Sequence, residues 1–411
     1  MATKIKNPIK GYRSIVTNGA DGTVNYHLLL FQLLATVAVI SVSDHIFFWD
    51  TIQLGSKHAH WYYEQQFGQL LLPEVIDSGH PPLFGMYLAL CWLLFGKTLL
   101  VSHLSMLPFV WISIWTSFRL AAYYGSTTWA WGLLLLLFVD PTFAAQHLLV
   151  SPDIVVVAMF MLAWSALLSH NRPLQIIALV ALAGVSMRGM MVVMGLFLFE
   201  CWIDMCDLRG QQQRIQKQFS PTYCAVVIIR KIFTYIPAGL LALSFLVWHY
   251  QATGWIGYHA DSTWAPSFAQ VDFIGFLKNI VMLVWRLADF GRLLVWISLL
   301  LGLFWLYRYP RHAVWHRARR RQLVVMGIIL FVMLTPSFLL HQHLSAHRYL
   351  LPIMVWGNIF AYHVIVAMTQ VPRFQFVLAL VTLLGLATGN FWIYPKHISQ
   401  GWDATLAHLP H

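Results

Sequence analysis

PPLFGMYLALCWLLFGK, residues Pro81–Lys97, is apolar but short, and it opens on two prolines. Whether it crosses a membrane decides the topology of everything after it. The chain is 59% hydrophobic and 10% charged, against about 25% charged in soluble domains. A mean hydropathy of +0.66 implies a polytopic membrane protein and excludes a soluble domain. Other apolar runs suit the roughly 17–25 residues a spanning helix needs. They lie near 25–44, 100–121, 128–146, 153–170, 173–187, 189–206, 228–249, 290–307, 322–341, 349–369 and 375–394.

Suppose 81–97 does not cross and the N-terminus is cytoplasmic. The cytoplasmic segments then hold Lys4, Lys6, Lys10, Arg13, Arg119, Arg172, the clusters at 209–231 and 308–321, and Arg373, which is most of the 26 Lys and Arg residues. If 81–97 crossed, those two clusters would fall outside, against the positive-inside rule. The sequence therefore reads as all-α, one transmembrane domain over 1–411. It has about eleven crossings, an outer C-terminus and no separate soluble domain. Segment 81–97 lies in or on the outer leaflet. The net charge of +11 reflects this asymmetry and not a nucleic-acid partner. The four cysteines form no C-x-x-C pair and read as unpaired. The critical point is 173–206, where two spans share a turn at Met187-Arg188-Gly189. A single tilted helix there would invert everything downstream.

Upstream of Pro81, the stretch Asp44–His80 is long for a connection and rich in aromatic, acidic and imidazole groups. Loops of that kind are more often functional than merely connective. Together, 44–97 reads as a first outer loop with juxtamembrane helices that carries the site. The same topology places outside the turn Asp140–Asp153, Arg188, the loop Trp248–Asp261 and the segment His341–Tyr349. Asp272, Asn279 and Arg286 recur at a fixed helical spacing, which predicts an amphipathic helix lying on the membrane.

An enzyme on that face has no nucleotide sugars at hand, so an activated sugar would come on a lipid phosphate. Such a transfer needs one carboxylate base for the acceptor hydroxyl, and cations for the phosphate leaving group. Asp50, flanked by Trp49 and Phe48, is the expected base. Arg348, Lys57 and Arg188 are the expected phosphate ligands, because arginine in particular suits bidentate contacts. The plainer role for Arg348 and Lys57 is snorkelling to headgroups. Arg188 interrupts an apolar run at membrane depth, where such residues are usually functional. His80 is aimed by Gly79-His80-Pro81-Pro82, a rigid extended turn. Glu64, Asp77 and Glu74 are weaker acidic candidates. Asp140 is placed to orient an acceptor or a cation, and Asp153 to cap a helix or face the site. The sequence points to no particular cofactor. A divalent metal is compatible with the His58-Ala59-His60 and His343/His347 spacings, but no H-E-x-x-H motif accompanies them. Two rival readings use different chemistry. A transporter or lipid flippase needs ionisable groups near the midplane and paired halves. A polysaccharide polymerase or ligase needs a lipid-diphosphate oligosaccharide.

In order along the chain, Asp50, Gly79-His80-Pro81-Pro82-Leu83, Leu94-Phe95-Gly96, Gly184-Val-Ser-Met-Arg-Gly189 and His347-Arg348-Tyr349-Leu350-Leu351-Pro352 resemble the GT-C membrane glycosyltransferases. The branch is the protein O-mannosyltransferase and lipid A aminoarabinose transferase group, glycosyltransferase family 39-like. The resemblance implies a polyprenyl-phosphate sugar donor, inversion at the anomeric carbon, Asp50 as base, and Arg348 with Tyr349 at the substrate. It also implies a bacterial inner-membrane location with the site facing the periplasm. The acceptor stays open among protein, lipid and glycan. Two features depart from the group: Asp50 is followed by Thr51 where a second carboxylate is common, and the chain ends soon after its last apolar run.

Overall fold

A computed structural model describes residues 26–47, 51–215, 221–261, 265–309, 317–342, 346–368 and 371–392; within these, 207–215, 221–228 and 230 are described by backbone alone. The first part runs α1 Tyr26–Ser41, a π-helical turn Thr51–Ser56 continuing into α2 Lys57–Glu64, α3 Leu83–Phe95, α4 Leu99–Leu104 and α5 Leu107–Tyr124. Next come α6 Ala130–Val139, α7 Pro141–Leu148, α8 Pro152–Leu168, α9 Arg172–Val185, α10 Met187–Ile215 and α11 Pro221–Thr253. The chain closes with α12 Phe273–Ala288, α13 Arg292–Arg308, α14 Arg317–Leu340, a 3-10 turn His347–Leu350, α15 Leu351–Val366 and α16 Pro372–Gly389. Among the described residues, β pairing is limited to an isolated bridge between Gln270 and His341. The protein is all-α, as expected.

Every apolar run read from the sequence falls on a helix. Among the described residues, six helices are long and apolar enough to cross a membrane, or eight if each of two bent pairs counts as one span. The other three runs form the shorter apolar helices α1, α8 and α9, and 81–97 yields the short helix α3. Length and composition alone therefore carry six to eight crossings; the three short helices make up the rest of the expected set.

Two helices form the centre. Pro152–Leu168 and Leu351–Val366 are apolar on all sides and buried from end to end. A helix with no polar face can only be satisfied inside a bundle or in lipid. Here α5 and α9 pack on α8, while α13 and α14 pack on α15.

The 173–206 stretch is a hairpin. Its break is the single residue Ser186, whose Oγ accepts from Gly189 N at 3.0 Å. Arg172 pairs with Glu200, residues equally far before and after Ser186, so the arms run antiparallel. A Cβ on Gly189 would sit 1.9 Å from the Leu182 carbonyl oxygen, so only glycine allows this reversal.

The two bent pairs break at Asp140 (α6 to α7, 78°) and at Asp289-Phe290-Gly291 (α12 to α13, 85°). Gly291 has φ +76°, and a Cβ there would lie 1.7 Å from the Gly385 carbonyl oxygen. Of the α12 polar stripe only Asp272, which caps the helix, is exposed. Asn279 and Arg286 are buried, and Asn279 Nδ2 donates to the carbonyls of Leu339 (3.0 Å) and His341 (2.9 Å). The helix instead turns Phe273, Ile274, Val281 and Val284 outward. Polar groups cluster inward because protein offers them partners and hydrocarbon does not.

Candidate active site

Both central helices begin at the same end of the bundle. Ser151 caps α8, its Oγ accepting from Asp153 N at 3.2 Å, and Pro152 occupies the first turn, where its missing N–H costs nothing. Asp153 follows, 6% exposed. Its Oδ1 accepts from Arg188 Nη1 at 2.8 Å, and its Oδ2 lies 3.7 Å from Arg348 Nε. Arg188 comes from the start of α10, just past the hairpin break. Arg348 comes from the 3-10 turn ahead of α15. The Tyr349 ring sits between them, 4.0 Å from the Arg188 guanidinium and 5.0 Å from that of Arg348, and Arg348 Nη2 donates to the Tyr349 hydroxyl at 3.2 Å. The structure thus gathers Asp153, Arg188, Arg348 and Tyr349 where α8, α10 and α15 all present N-terminal ends. Those ends carry partial positive charge, so this corner favours an anion.

His80 joins it. Burial presses its imidazole down to about 3, with the charges of Arg188 and then His58 acting the same way. The ring is neutral at physiological pH, and its Nδ1 is buried with no hydrogen-bond partner. His58 stands behind it, its Nε2 3.1 Å from the Ile76 carbonyl; burial lowers its pKa to about 4.

The remaining candidates lie elsewhere. Asp50 and His343 are outside the described residues. Lys57 is exposed at the start of α2. Glu64 is exposed, 3.5 Å from Lys97 Nζ and 3.7 Å from His60 Nδ1. Asp140 is fully buried and its carboxylate is saturated. It caps α7 by accepting from Thr142 N (3.0 Å) and Phe143 N (3.1 Å). It also accepts from Arg292 Nε (3.0 Å) and Nη2 (2.6 Å) and from Asn358 Nδ2 (3.1 Å). That set clamps the two helix breaks to α15. The rings of His58 and His60 part company, one buried and one exposed. Among the described residues, no three His, Cys, Asp or Glu side chains gather as a metal set.

Sequence reasoning did not find the partners of three buried groups, among which Asp77 was expected only as a weaker acidic candidate. Arg292 begins a span, yet its partner lies 152 positions away. Asp77 pairs with His249, also distant in sequence. Glu200 sits at the opposite end of the bundle, bound by Arg172, Lys231 (2.7 Å), Gln175 (2.7 Å) and Tyr235 (2.9 Å). An acid inside the apolar run 189–206 was the readable signal for it.

No protein-family model matches the sequence, and no curated protein does. Among solved structures, the chain is similar to ArnT from Cupriavidus metallidurans, crystallised bound to undecaprenyl phosphate. The TM-score is 0.51 at 14% identity, over 84% of this chain. The match spans 60% of the ArnT chain, so part of that protein has no counterpart here. The chain therefore shares the helical fold of ArnT.

Proposed function

We propose that this protein is a membrane glycosyltransferase that moves a sugar from a polyprenyl-phosphate donor to an acceptor hydroxyl. The observation that carries the reading is the pair Arg188 and Arg348 around Asp153, at the meeting of three helix N-termini. Two fork-shaped guanidiniums at a positive helix end suit a phosphate, which they can meet with paired hydrogen bonds. The ArnT fold, solved with a polyprenyl phosphate in place, supports the same ligand class.

In this mechanism Arg188 and Arg348 hold the donor phosphate and take up charge as it leaves. Asp153 keeps the two cations close together. The acceptor oxygen attacks the anomeric carbon, the bond from that carbon to the phosphate oxygen breaks, and configuration inverts. The hydroxyl proton passes to Asp50. The leaving polyprenyl phosphate is already a stable anion and needs no acid. Neutral His80 offers one hydrogen bond to the sugar or phosphate, and Tyr349 forms a wall. The bundle end bearing Arg172, Lys231, Arg319 and Arg321 faces the cytoplasm by the positive-inside rule, so the reaction faces outward.

The test is Asp50→Asn in purified protein supplied with a polyprenyl-phosphate sugar. Transfer is lost while the variant stays monodisperse and still binds undecaprenyl phosphate. Retained turnover refutes the base, and failure of the wild type to bind the lipid phosphate refutes the site.

A further inference from the structure

We propose that Asp77 and His249 form a latch between the first outer loop and the loop Trp248–Asp261, and that the latch positions His80; the inference rests on the donor-site reading above. The two side chains are each 3% exposed, and their contact, Asp77 Oδ2 to His249 Nε2, is 2.9 Å. The other Asp77 oxygen accepts from Gly79 N at 2.8 Å. One carboxylate thus grips the last turn of α11 and the backbone one residue before His80.

The histidine is held equally firmly. Its Nδ1 lies 3.1 Å from the Trp255 carbonyl and 3.3 Å from Thr253 Oγ1, a hydroxyl that already donates to the His249 carbonyl at 2.8 Å. Both ring nitrogens therefore have polar partners within hydrogen-bond reach. The Trp255 indole packs edge-on against the imidazole, with centroids 4.5 Å apart. This is a closed, buried contact with strict geometry, and a loop that only linked helices would have no use for it.

The backbone makes the latch directional. Gly79 has φ +67°, and a Cβ there would be 2.3 Å from the Gly257 carbonyl oxygen, so the two loops touch backbone to backbone. After Gly79 come His80, Pro81 and Pro82, then α3. Proline fixes φ and restricts the residue before it. Between the latch and α3 the chain has few free torsions, so the setting of Asp77 passes to His80. The atom delivered is Nδ1, buried and without a partner. His249 and Asp77 are positioning residues: they touch no substrate, and they act through His80.

The test uses the full chain in lipid nanodiscs and undecaprenyl phosphate as probe, with His249→Phe, Asp77→Asn, His80→Ala and the double variants. Two readouts apply: affinity for the probe, and the rate at which diethyl pyrocarbonate modifies His80, followed by mass spectrometry. Each latch variant is expected to expose His80 to modification several-fold faster. Each should weaken binding about tenfold, the scale typical of losing a group that orients a ligand-binding side chain. Added to His80→Ala, neither should weaken binding by more than about twofold. Additive losses, or unchanged His80 reactivity, overturn the latch. Asp77→Asn keeps the shape of the side chain and carries the same cycle if His249→Phe does not fold. If the wild type does not bind the probe, the donor-site reading falls, and His80 reactivity alone decides the latch.

Discussion

Replacing Arg292 by methionine should destabilise the protein severely, and replacing Asp140 by asparagine in the same chain should restore most of the loss. In the folded protein the Asp140 carboxylate is 0% exposed, and Arg292 supplies two of its five hydrogen bonds, at 3.0 and 2.6 Å. Without Arg292 the charge keeps only Thr142 N, Phe143 N and Asn358 Nδ2. Breaking a buried pair from one side costs about 3–5 kcal/mol, because the remaining charge is stranded. At the roughly 2–4 °C per kcal/mol seen for mid-sized domains, Tm should drop on the order of 10 °C. Asparagine at 140 removes that charge and still caps α7 through its side-chain oxygen. The assay is thermal unfolding in detergent, read by the fluorescence of the 19 tryptophans, alongside sugar transfer. Arg292→Met within about 0.5 kcal/mol of wild type would refute the brace. So would a double variant no more stable than the single. A double variant that is stable but inactive would return Asp140 to the substrate site.

Arg188→Ala and Arg348→Ala should each weaken undecaprenyl phosphate binding by about tenfold or more, the scale of a lost charged hydrogen bond of roughly 1.5–3 kcal/mol. Isothermal titration in nanodiscs measures this, and Lys57→Ala, exposed in the first outer loop, should stay within about twofold. Stability should fall as pH drops below 6.5. His58 and His80 are held down at about 4 and about 3, so the folded state binds fewer protons than the unfolded chain over that window. Their contribution is whole above pH 6.5 and lost as pH falls toward 4 and then 3; a Tm series from neutral to acid pH, flattened by His58→Gln, checks it. Gly189→Ala should unfold or misassemble the hairpin, seen as aggregation on gel filtration, because its Cβ has no room against Leu182.

Much of the architecture was legible because hydrophobic runs report helices directly. The reversal at Ser186 was readable from an arginine and glycines breaking an apolar run, and the rigid turn at His80 from its two prolines. Tertiary pairings were not readable. Asp153 gave a strong capping signal, which Ser151 fulfils, but nothing in the sequence joined it to Arg188 and Arg348. Asp140 looked available because its partner Arg292 lies in another span. The α12 stripe had the right period, but periodicity cannot say whether a polar face meets water or protein, and here it meets protein.

The hairpin has one further consequence, for membrane thickness. The arm α9 has 14 residues and rises about 21 Å, while the hydrocarbon slab is about 30 Å thick. Arg188 at one end and the Arg172–Glu200 pair at the other cannot both sit level with the headgroups. Roughly 9 Å of hydrocarbon must give way, by local thinning or by a headgroup-lined dent over one charge cluster. A donor phosphate would then meet its arginines below the nominal membrane surface. Turnover should slow in bilayers of long-chain lipids, where that indentation costs more to hold open.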